Sequence, residues 1–316
     1  MLVITLTCRT LESVAKRRKT PKVQPENTRL KEGKYEISTG IAELIADDYT
    51  PDGWVLEING MESSHVVVGR PRELDFEYMR WLVAVLEAFV ETTLDPEKLR
   101  ITHLGGGACS MAQYLADLYP SSRNTVVELD SKLADLVREW FDLPKAPRVK
   151  IRVGEAREVT ETFAPSSRDV IIRDVFAGYI TPTPLTTLEF TQIVSESLAP
   201  NGLYIINCGD APDLAGARAE TAAIAEVFEY TCAAADSAMF KGRRRGNIIL
   251  AGSHSPLPVA GDAVAAQITK RLLGGGVPAQ YKDDAWVRNF ASGVAPRRDG
   301  VDVIDMKALD QELRKG

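Results

Sequence analysis

The sequence predicts an α/β protein: a seven-stranded, mostly parallel sheet with helices on both faces, preceded by a small N-terminal β subdomain. Three observations carry this expectation. From Arg100 onward, apolar runs of strand length alternate with segments of helical period. The last two of those runs are too close together for a helical crossover. Ahead of Leu74, only short strand-like runs occur, joined by turn residues.

Residues 1 to 34 are expected to form a tail. RTLESVAKRRKTPKVQPENTRLKEGK (9 to 34) is rich in charge and proline without a sustained period, and its basic cluster Lys16 to Lys19 reads as solvated. The small β subdomain and a linking helix are assigned to residues 35 to 98. YEISTGIAELIADD, WVLEING and SHVVVG supply the strand-like runs, with Asn59-Gly60 as a turn pair tolerant of positive φ. LDFEYMRWLVAVLEAFV, Leu74 to Val90, has apolar residues at helical spacing and is followed by Asp95-Pro96, a stop signal.

The main domain is assigned to residues 99 to 258. Its strands are RITHL (100 to 104), NTVVEL (124 to 129), RVKIRV (148 to 153), DVIIRDV (169 to 175), GLYIIN (202 to 207), EYTCAAA (229 to 235) and NIILAG (247 to 252). SMAQYLADLY, SKLADLVREWF and LEFTQIVSESL are the helical segments among the first five. Only KGRRRGN and a few neighbours separate the last two strands, so these should pair as an antiparallel hairpin. Five alternating units closed by a reversed hairpin describe the methyltransferase-like Rossmann sheet of S-adenosylmethionine enzymes better than a dinucleotide-binding dehydrogenase. Residues 259 to 316 read as a helical extension, with AVAAQITKRLL, a break at Gly274-Gly275-Gly276 and a closing helix around MKALDQELRK.

Composition narrows the function classes. The 316 residues are 45% hydrophobic and 26% charged, which suits a globular core and excludes a disordered or collagen-like chain. A net charge of −6 lacks the basic field that draws proteins to phosphate backbones, so no nucleic-acid partner is expected. The three histidines and the dispersed Cys8, Cys109, Cys208 and Cys232 have no zinc-site spacing, and no metal is expected. No apolar run approaches membrane-spanning length, and no secretory signal pattern opens the chain. A cytoplasmic protein without membrane association is the expectation.

The chemistry gathers at the C-terminal ends of the strands. Gly105-Gly106-Gly107 follows the first strand and precedes a helix for which Ser110 is a candidate N-cap, so backbone N–H groups can approach a ligand closely. Glu128 ends the second strand, where a carboxylate can accept both hydroxyls of a ribose. Glu155, after the third strand, could accept from an exocyclic adenine amine or be only a loop acid. Asp174 ends the apolar run Val170-Ile171-Ile172, where a carboxylate calls for a reason, and it faces the reacting group. Cys109 has no histidine nearby in sequence to activate it, and His103, Trp81 and Trp140 read as core. Lys241, Arg243, Arg244 and Arg245 read as a solvated hairpin tip.

HLGGG (103 to 107), VVELD (126 to 130), GEA (154 to 156), DVIIRD (169 to 174) and LAPNGLYIIN (198 to 207), behind a small β subdomain, together resemble the spermidine synthase family of aminopropyltransferases over residues 35 to 258. The resemblance implies transfer of an aminopropyl group from decarboxylated S-adenosylmethionine to an amine such as putrescine, in polyamine biosynthesis. It further implies that Glu128 holds the ribose, that Glu155 stands where the family has an adenine-binding Asp, and that Asp174 is catalytic. The implied partners are a small-molecule amine and the adenosyl donor, with a homodimer left open.

Two acids of the family pattern are replaced. The family's GGGDG becomes Gly105 to Gly107 followed by Ala108, and the second Asp of its DxxD becomes Ala177. Its Tyr-His-Glu becomes Tyr78-Met79-Arg80. Each charged hydrogen bond lost is worth about 1.5–3 kcal/mol, so putrescine is expected to be a poor acceptor. Two other readings therefore stand beside the first: a methyltransferase using intact S-adenosylmethionine, and a noncatalytic adenosyl-binding scaffold.

Overall fold

The computed structural model of the chain describes residues 30 to 302; the Lys16 to Lys19 cluster and the expected closing helix lie outside them. An antiparallel four-stranded meander comes first, formed by β1 (Gly33–Ile37), β2 (Gly40–Ala46), β3 (Gly53–Ile58) and β4 (Met61–Val67). The run YEISTGIAELIADD splits into two strands at Thr39-Gly40, which accounts for the fourth. Asn59 and Gly60, with φ of 53° and 78°, turn β3 into β4 as a two-residue hairpin loop.

Helix α1 (Glu77–Thr93) follows, starting three residues later than its apolar period suggested, and buries Trp81, Leu82, Val85, Leu86 and Phe89. It packs on the central sheet, which is built from β5 (Arg100–Leu104), β6 (Arg123–Glu128), β7 (Val149–Val153), β8 (Arg168–Arg173), β9 (Leu198–Asp210), β10 (Tyr230–Ala235), β11 (Gly246–Ser253) and β12 (Gln280–Lys282). The spatial order is β12-β10-β11-β9-β8-β5-β6-β7. Pairings among β5 to β9 are parallel, while β11 runs antiparallel to β9 and to β10, the reversed hairpin that the short connection required.

The sheet has eight strands rather than the expected seven. β12 lies in the segment read as a helical extension and pairs antiparallel with β10, covering what would otherwise be an open edge. A three-residue strand is too short to display a period of two. The chain reaches it by reversing after α8 (Ala263–Leu272), where Ala279 N–H donates to the Leu272 carbonyl (2.8 Å) and Gly275 adopts a φ of 86°. Helix α9 (Asp284–Ala291), which the sequence reading did not anticipate, then packs against β10 and α6 (Ala215–Val227).

The remaining helices are α2 (Ser110–Leu118), α3 (Ser131–Trp140), α4 (Ala156–Glu161), α5 (Leu188–Ser197) and α7 (Ser237–Phe240). Among the described residues, no helix is long and apolar enough to cross a membrane. Two hydrophobic clusters organise the interior. The larger joins α1, α5, α6, α8 and the central strands. The smaller joins the inner face of the N-terminal meander, through Ala42, Leu44 and Leu56, to Ala112, Leu133 and Trp140 of α2 and α3. Tyr35 meets Trp140 edge-on, with ring centroids 4.9 Å apart. This second cluster sets the meander beside the glycine loop.

One buried ion pair fixes the middle of the sheet. Arg173, 1% exposed, pairs with Glu220 of α6 and donates from its other terminal nitrogen to the Leu185 carbonyl (2.5 Å). Strand alternation sends the neighbouring Asp174 toward the opposite face. Removing one partner of such a pair leaves a buried charge without compensation. Glu220→Ala should therefore lower the unfolding free energy by about 3–5 kcal/mol in urea titration. A loss below about 1 kcal/mol would mean the pair is dispensable.

Candidate functional site

A cleft of about 1120 Å3 runs along the C-terminal ends of β5, β6, β7, β8 and β9 and reaches the start of β11. In an open α/β sheet, such a crevice opens where successive strands lie on opposite sides of a central one. Here that point is β5, flanked by β6 and β8. Gly105, Gly106, Gly107, Glu128, Glu155 and Asp174 all line this cleft.

Each of the three glycines faces a different neighbour. At Gly105, with φ 91°, a Cβ would overlap the carbonyl oxygen of Asp174. At Gly106 it would stand 2.8 Å from Glu128 Oε2, and at Gly107 it would overlap Ser64 Oγ of β4. The loop is thereby pressed between β8, β6 and the N-terminal meander. Ser110 is the first residue of α2 rather than its cap: Cys109, at φ 60°, holds the cap position, and Ser110 Oγ donates to the His65 carbonyl (2.8 Å). The hydroxyl thus ties α2 to β4.

Glu128 is held from both sides. Oε2 accepts from Gly106 N–H (3.0 Å) and Oε1 from Asp130 N–H (2.9 Å). Burial raises its pKa, and these backbone donors offset part of the rise. Each carboxylate oxygen has a second lone pair, so the group can still accept from two vicinal hydroxyls. Asp130 turns the other way, accepting from Thr39 N–H (2.6 Å) and Thr39 Oγ1 (2.8 Å) and capping α3. Glu155 caps α4 by accepting Glu158 N–H (2.9 Å) on Oε2, which leaves Oε1 for a ligand.

Asp174 stands at the centre. Tyr78 Oη donates to its Oδ2 (2.9 Å) and Asn207 Nδ2 to its Oδ1 (2.9 Å). Loss of solvation raises the pKa of Asp174 despite these two donors, and burial beside that carboxylate raises Tyr78 well above its ordinary value of 10.0. Asn207 is 1% exposed, lines the cleft and has no donor for its own Oδ1 among the described residues. From sequence, Tyr78 entered only as the first residue of the altered Tyr78-Met79-Arg80 triplet and Asn207 only as the last residue of a strand motif, neither with a role beside Asp174. Asn207 carries the signal that marked Asp174, a polar residue after an apolar run (Tyr204-Ile205-Ile206).

The replaced positions have distinct surroundings. Ala108 is fully buried in the smaller hydrophobic cluster and does not line the cleft, and its N–H donates to Ser64 Oγ (3.0 Å). Ala177 does line the cleft, in a tight turn closed by its N–H to the Ile180 carbonyl (2.9 Å). Arg80 is turned elsewhere, donating to the carbonyls of Leu74 and Asp75. Burial pushes the Cys109 thiol up to about 12, which removes it as a nucleophile at neutral pH. His103 is a buried neutral imidazole, lowered to about 4 by desolvation, and donates through Nε2 to Asn124 Oδ1 (3.0 Å), whose amide nitrogen is itself occupied with Ser122 and Arg148.

Among solved structures, a probable spermidine synthase from Corynebacterium glutamicum ATCC 13032 is 58% identical to this chain. The match covers 88% of this chain and 99% of that one, with a TM-score of 0.84. The chain belongs to the spermidine synthase family. A polyamine aminopropyltransferase of Vibrio vulnificus is 30% identical over 114 residues, 35% of this chain. An eEF1A lysine and N-terminal methyltransferase of Mus musculus is 29% identical over 130 residues, 38% of this chain. These matches span only 38% and 18% of the two curated relatives. No family model matches the chain. Within this spermidine synthase family member, the strand-end segments carrying Glu128 and Asp174 are the ones that the resemblance rested on.

The Tyr78 bond favours the ionised form of Asp174. Because folding raises the pKa of Asp174 above 3.8, the stability its carboxyl contributes is full below that value and is lost as pH rises through the folded value. Tyr78→Phe removes a donor to the ionised form, so the folded value should move further up and that loss should occur at higher pH. Direct 13C titration of the Asp174 carboxyl checks this, and an unchanged or lowered midpoint contradicts it.

Proposed function

We propose that this protein transfers an aminopropyl group from decarboxylated S-adenosylmethionine to an amine acceptor, releasing methylthioadenosine. The observation that carries this reading is the position of Asp174, held by Tyr78 and Asn207 at the middle of a cleft whose one half has the features of a nucleoside site. In that half, Glu128 would accept from the ribose hydroxyls and the free oxygen of Glu155 from the adenine amine. The glycine loop admits the ligand next to the backbone.

The reaction requires a neutral amine. An alkylamine with a pKa near ~10 is almost wholly protonated at pH 7, so it must lose a proton before its nitrogen lone pair can attack. The lone pair forms a bond to the methylene carbon on the sulfonium sulfur. The carbon–sulfur bonding pair leaves with sulfur, which becomes a neutral thioether, and the displaced proton passes to Asp174 and then to solvent. The ionised form that accepts this proton prevails above the raised pKa of Asp174, and a cationic amine beside it lowers that value again.

A second reading is favoured by the burial of Ala108. With no acid on the cleft wall at that position, the donor's ammonium lacks the partner the family supplies. Intact S-adenosylmethionine brings its own carboxylate beside that ammonium, and a methyl group would then be transferred by the same in-line displacement. The methyltransferase relative is consistent with this alternative. Comparing the melting temperature with each donor at equal concentration separates the two, because of two ligands that bind only the native state the tighter raises it more.

Glu128→Ala should weaken methylthioadenosine binding by about 1.5–3 kcal/mol in calorimetry, since two ribose hydroxyls lose a charged acceptor. An unchanged dissociation constant would remove Glu128 from the ribose.

Asp174→Asn should lower turnover about 10²–10⁴-fold with an acceptor found by screening amines against both donors, while methylthioadenosine binding stays near wild type. Wild-type turnover in this variant would exclude Asp174 as the proton acceptor. A scaffold without activity would bind methylthioadenosine and turn over neither donor.

A further inference from the structure

The two halves of the cleft differ in charge. On the β5-β6-β7 side of Asp174 the wall carries Glu128 and Glu155; on the other, at the ends of β9 and β11, it carries Asp210, Asn247 and Arg245. Both Asp210 oxygens are already engaged, accepting from Ala211 N–H (2.8 Å) and Ala217 N–H (2.7 Å) at the start of α6. Ala177 supplies no acid there. The Arg245 guanidinium lies over the Tyr179 ring, 5.7 Å from its centroid, and unlike its neighbour Arg244, which pairs with Asp236, it pairs with no carboxylate among the described residues. Lys241 and Arg243, in the same connection, are exposed and add to the positive field.

A second ammonium bound in this half would meet the Arg245 cation, with Asp210, tied to the start of α6 through its backbone N–H groups, as the carboxylate on that wall. A carboxylate would find a guanidinium able to donate two parallel hydrogen bonds. We infer that the acceptor is an amine carrying a carboxylate at its far end, with Arg245 the residue that selects it. This rests on the aminopropyl-transfer reading above and names its second substrate by class. The attacking nitrogen would sit at Asp174, whose carboxylate Asn207 Nδ2 and Tyr78 Oη hold in place. Atoms balance as before: a nitrogen–carbon bond forms, the carbon–sulfur pair leaves with sulfur, and one proton is released from nitrogen. The products are a secondary amine that keeps its carboxylate and methylthioadenosine.

The test uses the full chain saturated with methylthioadenosine and two probes of similar length, 4-aminobutanoate and putrescine, titrated by calorimetry. Wild type should bind 4-aminobutanoate at least about tenfold more tightly than putrescine. Arg245→Ala should erase most of that preference and Arg245→Glu should reverse it, both with methylthioadenosine affinity retained as evidence of folding. Putrescine bound as tightly as 4-aminobutanoate, or neither amine bound, overturns the inference and leaves the aminopropyl-transfer reading standing. A preference that survives Arg245→Ala overturns the role of Arg245. Failure of the wild type to bind methylthioadenosine overturns the underlying reading and this inference with it.

Discussion

The end of β5 has room for no side chain, and much of the site follows from that crowding. Gly105 lies against the backbone of β8, Gly106 against the Glu128 carboxylate and Gly107 against Ser64 of the meander. A single methyl group at any of these points would push apart two layers that must touch. Packing at crystal-like density makes such a demand local and steep, because neighbours cannot retreat without opening voids elsewhere. The loop thus couples the positions of Asp174, Glu128 and β4. Glu128 in turn answers Gly106 and Asp130 with hydrogen bonds, so the crowded backbone and the carboxylate stabilise one another.

The carboxyl at the centre is kept in an unfavourable state by design of its surroundings. Desolvation opposes its charge, yet Tyr78 and Asn207 both donate to it, and Arg173 next in the chain is locked beneath the sheet by Glu220 and the Leu185 carbonyl. The two opposing influences leave a group whose charge responds to what enters the cleft. An incoming cation supplies the compensation that the protein withholds. Such tension is commoner at functional sites than in structural ion pairs, where the partner is already present.

Much of this arrangement was legible in the sequence because strand ends announce themselves. Val170-Ile171-Ile172 before Asp174 and Val126-Val127 before Glu128 are apolar runs closed by an acid, and Gly105 to Gly107 after the first strand mark a close approach of the backbone. The reversed hairpin of β10 and β11 was readable from the shortness of its connection. What escaped was whatever depends on distant segments meeting. Tyr78 reaches Asp174 across 96 positions, and Arg173 finds Glu220 across 47, with no local pattern to announce either. β12 was missed because three residues carry no period, and its existence depends on an exposed edge elsewhere. Ser110 looked like a helix cap by residue type, but its hydroxyl serves a carbonyl on β4 instead. The burial of Ala108 is likewise a property of the meander that packs over it.

The smaller hydrophobic cluster has a consequence for how the molecule opens. Leu44, Leu56 and Trp140 belong to segments far apart in the chain, yet they share one interior, and Thr39 is stitched to Asp130 at the same seam. The meander cannot swing away as a lid on a hinge without exposing the apolar faces of α2 and α3 to water. Opening there is local unfolding rather than rigid-body motion, and the half of the cleft beside Gly106 and Glu128 loses a wall in the same event. Any ligand seated against Gly106 and Glu128 would oppose that event, so protection of backbone amides in β1 to β4 becomes a report of occupancy in the cleft.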